Sequence, residues 1–531
     1  MEFLTAAAMR RVDARTIDQF RIPGLTLMEA AGRGVADALA GEIPELASLR
    51  VVCFCGKGNN GGDGLVAARY LRRGGVDAHV VLVCSAAELA GDAAANLARA
   101  REDGVPVDAI DDTRTWERFA IDLDARTIVV DALLGTGVTG PARGLIAKAI
   151  ETINNSQATV VAIDLPSGAD ADSGALPGVT VRAHRTLTLA RPKPCLVLEP
   201  AASHAGSWRV LDIGIPDEAV AAETSDLHWF DADSALRLAP SRPADAHKGT
   251  MGHLLAVAGS RGKSGAAVLV ARAALRSGVG LVTVATPRSA QPVVAGAQPE
   301  LMTEPLAETR AGALGRAAAK AVLAFLEGKD ALVMGPGLGT EPGTRGAVHA
   351  LIARTTVPTV LDADGLNAYA QGYRPRANLA AGRHALVLTP HPGEAARLLG
   401  LTTADIQADR LGHARRLAAK TGAVVVLKGR HTVIARPDGL ASINTTGNPG
   451  MATGGTGDAL TGVLGALLAR GLSGFDAARL GTYVHGAAGD LAAQRLGEDG
   501  LIAGDLIDAL PDVWGGLATR RRGVERWTPG A

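Results

Sequence analysis

The residues in this chain that can do chemistry sit in glycine-rich turns beside short apolar runs, with carboxylates in or next to those turns. The sharpest case is Asn448-Pro449-Gly450-Met451-Ala452-Thr453-Gly454-Gly455-Thr456-Gly457-Asp458, which leads into the apolar helical pattern of residues 459–468. Gly454, Gly455, Thr456 and Gly457 bare backbone N–H groups ahead of that helix, and the helix dipole adds positive potential, so the segment reads as an anion hole. A carboxylate at its mouth would repel phosphate. Asp458 is therefore read as a base that takes a proton from an attacking hydroxyl, with helix capping as the plain alternative. Lys428 and Arg430, in Val426-Leu427-Lys428-Gly429-Arg430-His431-Thr432, stand at the end of an apolar run, where they either hold nucleotide phosphates or lie in solvent.

A second group lies in the first half of the chain. Gly56-Lys57-Gly58-Asn59-Asn60-Gly61-Gly62-Asp63-Gly64 follows one apolar run and precedes a helical pattern beginning at Leu65. Glycines there let N–H groups approach a phosphate at a helix N-terminus, although tight strand-to-helix turns use them structurally as well. The loops Asp131–Pro141 and Asp164–Gly168 also follow strand-like runs. Ligands of open α/β sheets bind beyond the carboxyl ends of strands, so the three loops can converge. Asn60, Asp131 and Ser167 then offer amide, carboxylate and hydroxyl oxygens, a set suited to a hard cation and unsuited to zinc. Asp164 is a candidate acid or base at a strand tip. Each of these acids, taken singly, also suits a cap or a turn. Lys193 lies between Pro192 and Pro194, and a site role and a surface role stay equally open.

These loops need strands to hold them. Apolar runs fit strands over residues 50–55, 79–84, 127–131, 159–164 and 186–190, then over 253–258, 280–285, 331–335, 358–362, 385–388 and 423–427, with Ala-rich helical stretches between. That is the pattern of parallel sheets buried on both faces, an α/β class with two doubly wound domains. The series lapses between about residues 215 and 246, around Pro216, Pro240 and Pro243, which places the domains at 1–225 and 226–531.

Composition narrows the function. Glycine makes up 66 of 531 residues, about 12%, where about 7% is usual. Fifty-four basic and 54 acidic side chains give a net charge of zero, and aromatics are 3%, so neither a basic footprint nor stacking platforms point to nucleic acid. Cys53, Cys55, Cys84 and Cys195 lack a second metal half-site and read as buried free thiols of a reducing, cytoplasmic protein. No window of about 18 apolar residues suits a membrane span, and the N-terminus lacks an export pattern. Arg520–Arg522 and the residues after them read as a solvated tail.

Together, the glycine loop, Asp131–Pro141, Asp164–Gly168, Lys193-Pro194, Asp212-Ile213-Gly214-Ile215-Pro216 and Ile22–Gly32 resemble the NAD(P)H-hydrate epimerase domain over roughly residues 1–220. The resemblance implies a Rossmann-like fold, a potassium ion at Asn60, Asp131 and Ser167, and a catalytic Asp164. It also implies substrate contacts at Asn59, Asn60, Gly61, Gly62 and Asp63 and at Gly135, Thr136, Gly137, Val138, Thr139, Gly140 and Pro141, with Thr136 and Thr139 near substrate phosphate.

Residues 230–515 resemble the ribokinase-like superfamily, and within it the ADP-dependent NAD(P)H-hydrate dehydratase branch. The segments that carry this are His247-Lys248-Gly249, Gly259–Ala267, Met334–Thr340, Asp362–Asn367, Thr389–Glu394, Val426–Thr432, Asn448–Asp458 and His485–Asp490. The match implies nucleotide contacts at Lys428, Gly429, Arg430, His431, Thr432 and Gly457, and hydrate contacts at Ala266, Gly337, Gly339, His391 and Asp458. Sugar kinases of the superfamily carry an Asn-x-x-Glu metal motif where this chain has His391-Pro392-Gly393-Glu394, which argues for the dehydratase branch.

The implied chemistry is epimerisation of R and S NADHX and NADPHX in one domain and dehydration of the S form in the other. The second reaction would use ADP and Mg2+ and give NAD(P)H, AMP and phosphate. Small molecules are then the partners, with no nucleic acid or membrane, and a homo-oligomer is expected. Two other readings stay open at this stage: a small-molecule kinase fused to an epimerase-like domain, and a nucleotide-sensing scaffold.

Overall fold

The computed structural model describes residues 2–138, 140–223, 225–370 and 385–525. They divide into two compact units, Glu2–Leu227 and a second beginning at His228. The first is built on β1 (Arg50–Cys55), β2 (Asp77–Leu82), β3 (Val107–Ala109), β4 (Thr127–Ala132), β5 (Thr159–Ile163), β6 (Arg185–Leu189) and β7 (Ser207–Leu211). They form one parallel sheet in the order β3-β2-β1-β4-β5-β6-β7.

Side chains of a strand alternate between faces: Cys53, Cys55, Val80 and Leu82 enter one core, and Val52, Phe54, Val81 and Val129 the other. A strand buried on both sides has no polar face to show, hence the continuous apolar runs. The order reverses between β1 and β4, so the loops leaving those strands open a crevice at their carboxyl ends.

The second sheet contains β8 (Leu227–Phe230), β9 (His253–Val257), β10 (Leu281–Pro287), β11 (Met302–Leu306), β12 (Ala331–Met334), β13 (Thr359–Leu361), β14 (Leu386–Leu388), β15 (Val424–Leu427), β16 (Val433–Ala435) and β17 (Ala441–Asn444). Its order is β11-β10-β9-β12-β13-β14-β15-β16-β17-β8. Pairing is parallel from β11 to β15 and antiparallel for β15–β16 and β16–β17. Its reversal falls between β9 and β12.

The sequence pattern misses the edge strands β3, β7, β8 and β11 and the short β16 and β17. Edge strands face solvent and so lack the continuous apolar run: β7 alternates exposed and half-buried residues, and β11 carries an exposed Met302 and a proline. β8 lies inside the stretch where the pattern lapses.

Two helix starts also differ. The helix Asn59–Arg73 begins before Leu65, so Asn59 to Gly64 are its first turns and not a loop. Glycine makes this possible. A Cβ on Gly61 would lie 1.9 Å from the Gly56 carbonyl oxygen, and one on Gly64 would lie 2.6 Å from Ala132 Cβ, so the helix start presses directly on the tips of β1 and β4. The helix Thr456–Ala469 likewise begins before Ala459 and includes Asp458.

All four cysteines are buried and unpaired. Among the described residues no helix is long and apolar enough to cross a membrane. The arginine-rich end is not a loose tail in its described part: a helix covers Ala503–Glu525, and Arg521 donates to the Ala239 carbonyl at 3.0 Å.

Candidate active sites

In the first unit the crevice gathers the oxygen set. Asp131, at the end of β4, is fully buried and accepts from the Ser167 hydroxyl at 2.6 Å, the Ser167 N–H at 2.8 Å and the Leu133 N–H at 3.3 Å. Burial nevertheless raises its carboxyl to about 6 against those bonds. Asn60 donates from Nδ2 to the Leu134 carbonyl at 2.9 Å, while its Oδ1 is buried without a hydrogen-bond partner. The Leu134 carbonyl is also 3.2 Å from Ser167 Oγ. The orphaned Asn60 amide oxygen is linked through the Leu134 carbonyl to Ser167 and Asp131, and these oxygens are a set that could hold a hard cation.

Asp164 directly follows β5 with φ of 69°, a left-handed backbone that a non-glycine residue seldom adopts and that gathers at functional sites. Its Oδ1 accepts from Lys193 Nζ in a short ion pair, from Thr188 Oγ1 at 3.3 Å and from the Leu189 N–H at 3.2 Å. Lys193 is 2% exposed, and its Nζ also donates to the Leu189 carbonyl at 2.8 Å. The surface reading of Lys193 is therefore corrected: its ammonium is turned inward onto Asp164.

Two more carboxylates feel this pair. Burial first, then the Asp164 charge, raise the carboxyls of Asp13 and Asp63, with Lys193 opposing, and Asp63 is pushed well up. Sequence reasoning missed Asp13. The available signal was its place four residues after Met9 and three before Thr16, both buried on the helix Ala6–Asp18.

The remaining predicted contacts separate by exposure. Gly61, Gly62 and Asp63 are buried, and a Cβ on Gly62 would lie 2.5 Å from Met28 Sδ, so packing within the protein already requires that glycine. Gly135 stands against the Asn60 side chain, where a Cβ would be 3.2 Å from Asn60 Cβ. Thr136 is half-buried, while Asn59, Gly137, Val138, Gly140 and Pro141 are exposed. Thr139 lies outside the described residues.

In the second unit Gly455, with φ of 94°, occupies the cap of the helix Thr456–Ala469, so capping does not account for Asp458 in its first turn. Burial, then Asp362 and Asp364, raise the Asp458 carboxyl to about 7 against the pull of Lys428. Lys428 follows β15 and donates to Asp362 Oδ1 at 2.8 Å, and its Nζ would lie 3.4 Å from a Cβ on Gly457. Asp362 Oδ2 accepts from Thr461 Oγ1 at 2.8 Å. Burial alone would lower the Lys428 ammonium, but Asp362, Glu394 and Asp458 outweigh it and the group is raised. A fixed ammonium at a glycine-bared helix start is an arrangement that could receive a phosphate, with N–H groups, dipole and charge acting together.

A cavity of about 730 Å³ opens from Lys428 and Gly457 and is walled by Gly429, Arg430, His431 and Thr432, the stretch Asn444–Pro449, Met451, Thr456, Leu460, Thr482, His485 and Gly486. That is within the size range of a small-ligand pocket. Asn444, Leu460 and Thr482 were missed because each belongs to an ordinary strand or helix pattern.

Asp364, which also faces Asp458 electrostatically, accepts from the Gly339 N–H at 2.8 Å and from Lys263 Nζ at 3.3 Å. A Cβ on Gly337 would lie 3.0 Å from Ala266 Cβ. Ala266 and Gly337 are thus in contact, and Gly339 is tied to Asp364. His391 is engaged differently. It caps the helix Pro392–Leu399, its Nδ1 accepting from the Gly393 N–H at 3.0 Å while Glu394 accepts from the His391 N–H at 2.8 Å. The His-x-x-Glu spacing therefore has a structural basis as a reciprocal cap, and it leaves Nε2 on a half-exposed ring.

The comparisons with known proteins cover both units. The family model for NAD(P)H-hydrate dehydratase matches residues 254–512, and that for the YjeF-related protein N-terminus matches residues 24–195. A bifunctional NAD(P)H-hydrate repair enzyme of Moorella thermoacetica is 46% identical over 97% of this chain and 96% of its own length. Proteins of the same description from Thermofilum pendens and Escherichia coli are 39% identical (99% of each chain) and 37% identical (95% of this chain, 92% of the other). Among solved structures, the ADP/ATP-dependent NAD(P)H-hydrate dehydratase of Bacillus subtilis, co-crystallized with ATP/Mg2+, is 32% identical and covers 55% of this chain and 98% of its own, with a TM-score of 0.49. With both halves matched and full-length relatives well above 30% identity, the chain belongs to the bifunctional NAD(P)H-hydrate repair enzymes.

Proposed function

We propose that the first unit interconverts the R and S epimers of NADHX and NADPHX, and that the second dehydrates the S epimer with ADP as phosphoryl donor and the C6 hydroxyl as acceptor. The observation that carries the reading is Asp458 at a helix start whose bared glycines meet the Lys428 ammonium. Hydroxide is a poor leaving group. Asp458 takes the proton of the C6 hydroxyl, whose oxygen then attacks the terminal phosphate of ADP and releases AMP. Lys428 and the N–H groups of Gly454, Gly455, Thr456 and Gly457 bear the charge on the transferred group. The ring nitrogen lone pair then expels phosphate, and loss of a proton restores the dihydropyridine.

In the first unit the Asp164–Lys193 pair moves the proton that lets the C6 hydroxyl leave as water and return from either face. The reducing cytoplasm is the setting we infer, and four buried free thiols suit it.

Two ions belong to this reading. Potassium fits Asn60 Oδ1, Asp131, Ser167 Oγ and the Leu134 carbonyl, and when bound would supply a fixed positive charge toward the substrate's phosphates. Among the described residues no group of three or more His, Cys, Asp or Glu is arranged for a metal ion, so Mg2+ would enter on the nucleotide phosphates and neutralise them.

Incubating the full chain with mixed NADHX epimers and either ADP or ATP, while following the near-ultraviolet absorbance of reduced nicotinamide, tests the reading. Recovery should be faster with ADP. Faster recovery with ATP overturns the donor assignment, and accumulation of a stable phosphorylated hydrate without recovery would establish the kinase alternative. Replacing potassium with tetramethylammonium should slow epimerisation and spare dehydration of the S form, and Asp131→Ala should do the same. Unchanged epimer exchange in both cases removes the ion from the mechanism.

A further inference from the structure

His485 is a buried ionisable residue that the proposed reaction leaves unused. It sits on the helix Gly474–Leu496, is 8% exposed, and lines the cavity beside Thr482 and Gly486. Its Nε2 lies 2.8 Å from the Thr456 carbonyl. A carbonyl can only accept, so Nε2 carries the proton and the tautomer is fixed. Burial first, and Lys428 after it, lower the imidazole to about 4 despite the Thr456 bond, so the ring is neutral at physiological pH. Nδ1 is then an acceptor lone pair with no hydrogen-bond partner among the described residues.

The surroundings hold the ring in place. A Cβ on Gly486 would lie 2.3 Å from Thr446 Oγ1, and one on Gly489 would lie 2.4 Å from Met451 Sδ, so the helix is pressed against the segment of residues 444–451. Thr446 Oγ1 donates to the Tyr483 carbonyl at 2.8 Å, and Asp490 accepts from the Gly447 N–H at 3.0 Å and from Asn448 Nδ2 at 2.9 Å. Thr446, Gly447 and Asn448 are thus tied to this helix, and His485 Nδ1 stays available as an acceptor beside the cavity.

We propose that His485 is a specificity residue whose Nδ1 accepts a hydrogen bond from the nucleoside part of the bound nucleotide, either the adenine amine or a ribose hydroxyl. The inference rests on the reading of this cavity as the nucleotide site. Ionised phosphates offer no donor, whereas the nucleoside carries both an amine and hydroxyls that can donate. Because the same ring bonds Thr456, next to Gly457, it links nucleoside recognition to the turn that holds phosphate.

The test is calorimetric binding of ADP, IDP, 2′-deoxy-ADP, 3′-deoxy-ADP and pyrophosphate to the full chain, for the wild type, His485→Leu and His485→Gln. One analogue lacking the donor should bind the wild type about 3- to 10-fold more weakly than ADP. His485→Leu should abolish that difference and His485→Gln, which keeps a donor and an acceptor, should restore part of it, with pyrophosphate affinity constant throughout. The proposal is overturned if every analogue matches ADP in the wild type, if the preference survives in His485→Leu, or if that variant weakens all ligands, pyrophosphate included, by one common factor. Failure of ADP itself to bind the wild type would overturn the nucleotide reading of the cavity together with this one, whereas ADP binding without discrimination overturns this one alone.

Discussion

Asp458→Asn is expected to lower ADP-dependent dehydration about 10²- to 10⁴-fold, the usual range for removing a general base, and to leave epimer exchange intact. The substitution keeps size and shape. Because Gly455 holds the cap position, the helix start should persist. The base must be ionised to work, and its carboxyl is raised to about 7, so kcat/KM for dehydration should rise with pH through neutrality and level off above it. In the variant that limb should vanish.

Stability should move the opposite way. The folded value of about 7 stands above the ordinary aspartate value of 3.8, so the folded state binds more protons than the unfolded chain between those values, and this group's contribution to stability falls as pH rises through that window. Asn cannot ionise, so the variant should melt at an equal or higher temperature than the wild type at pH 8. A lower melting temperature there would contradict the assigned burial of the charge.

Asp164→Asn is expected to slow R/S exchange by a similar 10²- to 10⁴-fold, with dehydration of the S epimer near its normal rate. This variant also leaves the 2%-exposed Lys193 ammonium without its counter-charge, and an uncompensated buried charge is strongly destabilising. Asp164→Asn combined with Lys193→Met removes both charges and separates the two effects: it should fold better than the single variant and remain inactive in exchange. Recovery of exchange in the double variant would show that Asp164 serves only to neutralise Lys193. Chromatographic separation of the epimers over time gives both rates.

How much of this was visible in the sequence depended on whether burial leaves a local mark. Inner strands such as β1 and β9 are buried on both faces and show as unbroken apolar runs, whereas β7 and β11 face water at the sheet edges and show as mixed segments. Glycine turns at strand ends were legible because their spacing is itself the feature. The helix start at Asn59 was not, because the need for glycine at Gly61 and Gly64 comes from the Gly56 carbonyl and from Ala132, contacts that only the folded chain creates. Asp458 was legible beside its glycines, but its partners Asp362 and Lys428 arrive on different strands. Lys193 was ambiguous for the same reason, since nothing within Pro192-Lys193-Pro194 reveals that Asp164, 29 residues away, accepts its hydrogen bond. His391 shows the converse: a motif spacing that suggested a ligand also completes a local cap.

The central claim is that two chemically independent sites, one on each unit, carry the two activities. A time course of the R and S epimers with and without ADP, run on the wild type, Asp458→Asn and the Asp164→Asn, Lys193→Met double variant, tests it most directly. The account predicts that Asp458→Asn equilibrates the epimers but consumes neither when ADP is added, and that the double variant consumes the S form while the R form drains only by slow spontaneous inversion. A folded Asp458→Asn protein that no longer exchanges R and S would contradict it and require one shared site.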